Sequence, residues 1–331
     1  MRGGRPLVLG MLACLLGASV VGAADAPLAL PLGLDPADVV VSPDNPLTPE
    51  KIALGKQFFW DTRWSKNKTT ACVTCHRPEH GWSDPRRFSL HDSGKLSPRH
   101  SQTVINRAFG QHQQWAGTRV SAEDQAAQSG DRHPEATWLA DVPYYREQFR
   151  KVFGRDLDAR GVALAISAYE MTIVSGNSPY DRYRAGDTKA LSAAARRGLA
   201  LFEGKARCAV CHNGSNLTDE GYHNIGIGAT AATPDVGRYA VTKIAVNHAA
   251  FKTPTLRDVA QRGPYMHDGS LATLEQVVDY YNHGGTPNPS LSPEIRPLGL
   301  TAQERGDLVE FLQALTGYIA ADVSTPPTFP Q

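Results

Sequence analysis

Two pentapeptides carry the plainest chemistry in this chain: Cys72-Val73-Thr74-Cys75-His76 and Cys208-Ala209-Val210-Cys211-His212. Two thiols three positions apart can each add to one vinyl group of the same porphyrin. The His that follows then lies where it can supply an imidazole to the iron. The spacing points to covalent c-type haem, twice over. Two Cys pairs also admit one four-thiolate zinc site or two short-loop disulfides. Neither of those needs a His directly after the second Cys of both pairs. The expectation is two covalent haems, attached through Cys72, Cys75, Cys208 and Cys211, with His76 and His212 as iron ligands.

The elements that must hold these groups read as helices. Thr48-Pro49-Glu50 starts one, with Thr as N-cap and Pro at the first helical position; Ile52, Leu54, Phe58 and Phe59 form its apolar face. Before the second motif, Ser192 caps a helix whose Leu199, Leu201 and Phe202 face inward. Gly55-Lys56-Gln57-Phe58-Phe59 lines up with Gly198-Leu199-Ala200-Leu201-Phe202, so the chain reads as two modules in tandem. Between them, 158–174 shows a helical pattern through Val162, Leu164, Ile166, Tyr169, Met171 and Ile173, stopped by Gly176-Asn177-Ser178-Pro179. A last amphipathic helix starts at Thr301, carries Leu308, Phe311, Leu312 and Leu315, and ends near Gly317. Strand signals are few and short. The expected layout is an export signal over 1–24, an extended Pro-rich lead-in over 25–46, haem domains over 47–185 and 186–320, and a loose tail over 321–331.

Length and charge narrow the classes. At 331 residues the chain is comfortable as two domains, and its formal net charge of +1 leaves no nucleic-acid footprint. Arg2 and Arg5, the apolar stretch Leu7 to Val21, and the small residues Gly22, Ala23 and Ala24 read as a secretory signal cut near Ala23 or Ala24. Leu7 to Val21 is too short to span a bilayer, so no membrane span is expected in the mature form. Export removes Cys14; Cys14 as a lipid anchor is the weaker alternative. Export agrees with thioether haem, which is assembled outside the cytoplasm, and a periplasmic protein is expected.

With these motifs in view, the chain resembles the bacterial dihaem cytochrome c peroxidase family, including its MauG-like branch. Besides the haem motifs, the resemblance rests on Ser101-Gln102-Thr103-Val104-Ile105-Asn106 followed by Trp115, on Phe251-Lys252-Thr253-Pro254-Thr255-Leu256-Arg257, and on Pro264-Tyr265-Met266-His267-Asp268-Gly269. It covers 47–317. It implies a mainly α fold of two tandem cytochrome-c-like haem domains, with a haem on either side of the interface. It also implies that the first haem reacts with hydrogen peroxide, while the second receives electrons or shares oxidising equivalents.

The resemblance implies the site residues as well. Opening peroxide needs an acid–base group beside an open iron position. Counting from Trp115, Gln125 and Glu135 fall at the spacings the family uses, although His133-Pro134-Glu135 lacks the residue the family places between Pro and Glu. Trp115 resembles the family's indole between the haems. His91 lies where the peroxidase branch has a displaceable His ligand to the first iron. Opposite His212, that branch has a Met at the position held here by Tyr281, and Tyr there resembles the MauG-like branch; Met266 is the alternative ligand. A phenolate favours the higher oxidation states of iron, a thioether the ferrous one. The family's calcium positions are held here by His100 and Arg262, and a guanidinium cannot coordinate Ca²⁺, so calcium is doubtful.

Three functions compete. One is a peroxide reductase drawing electrons from a small cytochrome c or cupredoxin. Another is a MauG-like oxidase acting on residues of a partner protein. The third is a non-enzymatic electron carrier, which would need no Gln125 and Glu135. A homodimer is compatible with any of them.

Overall fold

The protein is described here by a computed structural model covering Met1 and residues 28–65, 67–132 and 136–329. Glu135 and, apart from Met1, the expected export signal lie outside the described residues. Among the described residues the fold is helical, with one two-stranded antiparallel sheet, β1 (Tyr222–His223) against β2 (Phe251–Lys252).

The first half holds α1 (Pro49–Trp60), α2 (Ala122–Arg132), α3 (Pro143–Phe153) and α4 (Ala159–Glu170). Thr48 caps α1 by accepting the Lys51 N–H at 3.3 Å, and Pro49 starts it. α1 crosses α4 at Gly55, where a Cβ would lie 1.8 Å from the Ala165 carbonyl oxygen; only glycine lets the two backbones meet there. Phe58, Phe59, Tyr145, Phe149, Val162 and Ile166 fill the core beneath.

The second half follows the short helix α5 (Pro179–Arg184) and holds α6 (Ala193–Glu203), α7 (Tyr239–Thr242), α8 (Leu274–Asn282) and α9 (Ala302–Gln313). Ser192 caps α6 through the Ala195 N–H at 3.0 Å. α6 crosses α9 at Gly198, where a Cβ would lie 2.0 Å from the Asp307 carbonyl oxygen. The match between Gly55 and Gly198 read from the sequence is thus a match of helix crossings.

The correspondence runs further than the sequence reading took it. Segments 103–117 and 255–269 stay in step at a constant separation of 152 residues. Thr103 and Thr255 each accept the backbone N–H two positions on, at 3.1 Å. Asn106 (φ 57°) pairs with Asp258 (φ 55°), Gln114 (φ 69°) with Met266 (φ 75°), and Gly117 with Gly269, both at φ 61°. The same separation maps the first residue of α2, Ala122, onto the first residue of α8, Leu274. On α4 and α9, Ala165 and Asp307 face the two crossing glycines, which sets Ile166 beside Leu308 and Glu170 beside Leu312.

Three stretches differ from expectation. The Pro-rich lead-in is packed: Leu28, Leu34 and Leu47 are buried with Phe109, Ala168 and Met171. Their burial needs no helical or strand period, so no periodic signal announces it. α4 ends at Glu170, and Met171 to Ile173 continue only as a turn. In the tail, α10 (Ala321–Ser324) packs Val323 on the core of the first half, and Tyr169 donates its hydroxyl to the Val323 carbonyl at 2.8 Å. α5 leans on the second half: Tyr180 and Tyr183 pack there, and Asp181 meets Arg257 at 2.5 Å with both side chains buried. No helix among the described residues is long and apolar enough to cross a membrane.

Candidate functional site

Each C-x-x-C-H opens on its own cavity, about 2380 Å³ in the first half and about 1650 Å³ in the second, both counted with their open mouths. Both thiols and the imidazole of each motif line its cavity, as attachment of a haem there requires. The attachment segments Cys72–Thr74 and Cys208–Val210 are single 3₁₀ turns, and His76 and His212 each donate their backbone N–H to the carbonyl of the first Cys, at 3.0 and 2.9 Å. That turn brings both thiols and the imidazole to one cavity wall. His76 Nδ1 lies 3.4 Å from the Trp82 carbonyl and His212 Nδ1 lies 3.2 Å from the Leu217 carbonyl. With Nδ1–H donated to a carbonyl, Nε2 keeps its lone pair for a metal. Burial pushes His76 down and His212 down to about 4, which keeps both imidazoles neutral.

The alternatives to haem do not fit. Among the described residues, Cys72, Cys75, Cys208 and Cys211 form no disulfide with one another. Among the described residues the thiols do not converge: the only cluster with metal-ligand geometry is Cys211, Asp219 and His223, with a single sulfur.

The two cavities have unlike walls. The first is polar: Gln125 on α2 lines it, and Gln114 donates to Gln125 Oε1 at 2.8 Å and to Gln128 Oε1 at 2.7 Å. His91 lines it from a hairpin closed by a Leu90–Leu96 bridge, its Nε2 2.9 Å from Ser97 Oγ. Arg107 and Glu170 complete that side. The second cavity is lined by Val277, Leu308 and Leu312, with Tyr281 and Met266 facing the same space. Among the described residues the Tyr281 hydroxyl has no hydrogen-bond partner, and burial raises its ionisation above the ordinary phenol range. A phenolate there would need a metal to hold it.

Trp115 lines both cavities. Its Nε1–H donates to the His100 carbonyl at 2.8 Å, its carbonyl accepts the Lys252 N–H at 2.8 Å, and its ring meets His267 edge-on at 6.5 Å. His267 in turn stacks on Phe251 at 3.6 Å. His100 and Arg262, at the positions discussed for calcium, are both buried. The His100 imidazole lies 3.2 Å from Ser83 Oγ and from the Arg86 carbonyl, while Arg262 donates to the Thr255 carbonyl and is lowered to about 10 by burial.

A buried ion network crosses between the halves. Lys252 pairs with Glu220 and donates to the His112 carbonyl at 2.6 Å, and Arg107 lies 3.6 Å from Glu220. Burial, then the neighbouring Arg107, bring Lys252 down to about 7 against the pull of Glu220. Sequence reasoning did not single out Arg107, Glu170, Glu220 or Lys252. Extending the internal match by its 152-residue step would have pointed to the segments of Arg107 and Lys252; a lone carboxylate in an apolar helix pattern was the signal for Glu170.

Comparison with known proteins follows this geometry. Residues 49–189 match the family described as di-haem cytochrome c peroxidase, and residues 195–316 match cytochrome c. The cytochrome-c peroxidase IdrP1 of Denitromonas iodatirespirans is 40% identical, over 92% of this chain and 90% of its own. The methylamine utilization protein MauG of Methylorubrum extorquens is 43% identical, over 84% of this chain and 81% of its own. Among solved structures, a MauG-like protein associated with microbial copper homeostasis superposes with a TM-score of 0.82 at 31% identity, covering 90% of this chain and 98% of that one. Two tandem cytochrome-c-like domains, each with a cavity fitted to haem, make this chain a member of the di-haem cytochrome c peroxidase family, to which MauG belongs.

Proposed function

We propose that the protein is a peroxide-consuming oxidoreductase with two covalent c-type haems, in which hydrogen peroxide reacts at the first haem and electrons pass through the second. The observation that carries this reading is the contrast at the matched helix positions: Gln125 of α2 and Glu170 of α4 line the first cavity where Val277 of α8 and Leu312 of α9 line the second. The bound haems supply the redox chemistry. The residues would do the rest: Cys72, Cys75, Cys208 and Cys211 would anchor the porphyrins, and His76 and His212, whose Nδ1 atoms face backbone carbonyls, would hold the irons. Gln125 orients peroxide by hydrogen bonding, and Glu135 moves a proton from one peroxide oxygen to the other. Trp115 gives the two cavities a shared aromatic wall, and His91, which lines the first cavity, would be the displaceable ligand of a haem held there. The partners are a small electron-donor protein, a cytochrome c or a cupredoxin, and a periplasmic location follows from the export signal and from thioether attachment. Relatives named cytochrome-c peroxidase support the same reading.

Titration of the mature holoprotein with hydrogen peroxide, followed by optical and Mössbauer spectroscopy, tests it, once mass spectrometry has counted two haem additions. The expected result is a stoichiometric change that begins at the first haem and is reversed by a reduced small cytochrome. Absence of any spectral change would remove the proposal.

A second reading is favoured by Tyr281, whose hydroxyl has no hydrogen-bond partner among the described residues and faces the second cavity. As an iron ligand it would let the second haem share a high oxidation state, as suits an oxidase acting on a partner protein, the role of the MauG-like branch. EPR separates the ligands. Tyr281→Phe should abolish the low-spin ferric signal if Tyr281 is bound, and Met266→Ala should abolish it if Met266 is.

A further inference from the structure

Glu170 is a carboxyl group that neither of these readings uses. It is the last residue of α4 and lines the first cavity beside Gln125, Gln114 and Arg107. No donor among the described residues hydrogen-bonds it, and burial pushes it up to about 8, against the pull of Arg107 and with the push of Glu123. The helix end works the same way, since unpaired carbonyls there carry partial negative charge. Every element around it contributes a titratable or charged group: Arg107 from the 3₁₀ turn Arg107–Phe109, Glu123 from α2, Cys72 from the attachment turn, and Tyr169 from α4 itself. Lys51 of α1 stands behind Glu123, held by Asn45 at 2.9 Å.

The second half shows that the fold does not require a carboxyl there. Ile166 and Glu170 line the first cavity from α4, as Leu308 and Leu312 line the second from α9, at matched positions. An apolar residue completes one wall and a carboxylic acid the other. A buried carboxyl without a hydrogen bond is costly, so its presence at this position of the first half, where the second half has Leu312, calls for a chemical reason.

The reaction supplies one. Reducing hydrogen peroxide takes two electrons and two protons and yields two waters. A residue that moves a proton between the two peroxide oxygens supplies neither product proton. We propose that Glu170 is a second proton-delivering residue of the first cavity, its O–H giving one of the two consumed protons and being replenished from solvent while the donor protein supplies the electrons. This rests on peroxide reacting at the first haem.

The test uses the two-haem protein. In the wild type, infrared difference spectra at neutral pH should show a protonated-carboxyl band that Glu170→Gln removes, and the turnover rate with peroxide and a reduced small cytochrome should fall as pH rises through about 8. In Glu170→Gln, with both haem spectra intact, the rate should drop by about 10²-fold and lose that pH dependence. A band that persists in the variant, or an unchanged rate and profile, overturns the proposal. Should Glu170→Gln fail to bind two haems, Glu170→Asp takes its place: a displaced band and a retained, shifted pH limb support the role, and an unshifted profile overturns it. A wild type inert to peroxide would overturn both this role and the site of reaction, whereas a reactive wild type with an unaltered variant overturns only the role of Glu170.

Discussion

Laid over each other, the two halves share a frame and differ in their walls. The crossing glycines Gly55 and Gly198, the threonines Thr103 and Thr255 and the positive-φ pair Asn106 and Asp258 recur because the backbone path needs them. Where side chains face the cavities the match stops. Gln125 on α2 answers to Val277 on α8, Glu170 to Leu312, Gln114 to Met266 and Trp115 to His267. Position 129 of α2 is a serine where α8 carries Tyr281. The phenol that faces the second cavity from α8 has no counterpart in the sequence of α2. The frame is common property; the function lies in the departures from it.

That contrast can be broken at several points. The largest effect is expected from Glu135→Gln, which should slow the peroxide reaction by about 10²–10⁴-fold in stopped-flow measurements while the spectrum of the second haem stays as it was. An equal disturbance of both haems would show that the halves are not specialised in this way. Next come the shared crossings. Gly55→Ala and Gly198→Ala each force a methyl group against a backbone carbonyl and should each cost about 1–3 kcal/mol or more in denaturant unfolding. A large cost at one and none at the other would deny the equivalence.

The smallest effect is a slope. Burial holds Glu170 at about 8 against an ordinary 4.5, so the folded state binds its proton more tightly than the unfolded state does. Its contribution to stability is whole below about 4.5 and is lost as pH rises through 8. Glu170→Leu, which copies the second half, should give a thermal unfolding midpoint that falls less between pH 5 and pH 8 than the wild type's. An identical fall in both proteins would show that Glu170 carries no such linkage.

What could be read from the sequence follows from how local each signal is. The haem ligands sit within five residues, so spacing alone reveals them, and the caps Thr48 and Ser192 lie next to the helices they start. Glu170 was hidden in plain view: Ile166, Tyr169 and Met171 announce an apolar face, and a pattern of hydrophobic residues does not say which cavity a carboxylate among them will meet. Lys252 and Glu220 are distant in the chain and meet only through the β1–β2 pairing, and Arg107 reaches them from the other half. The lead-in escaped because proline-rich chain can bury leucines without any period.

The ends of the chain cross over. Residues of the lead-in reach the second half, where Gly33 accepts from Arg257 at 2.9 Å and Asp38 from Ser215 at 2.7 Å, while the last helical turn returns to Tyr169 in the first. Each half is thus strapped by chain from the other end of the sequence, like folded arms. Electron tunnelling between two cofactors falls off exponentially with their separation, and a hinge opening by even a few ångströms would change its rate many times over. Contacts of this kind restrain a hinge, so with a haem in each half they would keep the distance between the cofactors steady.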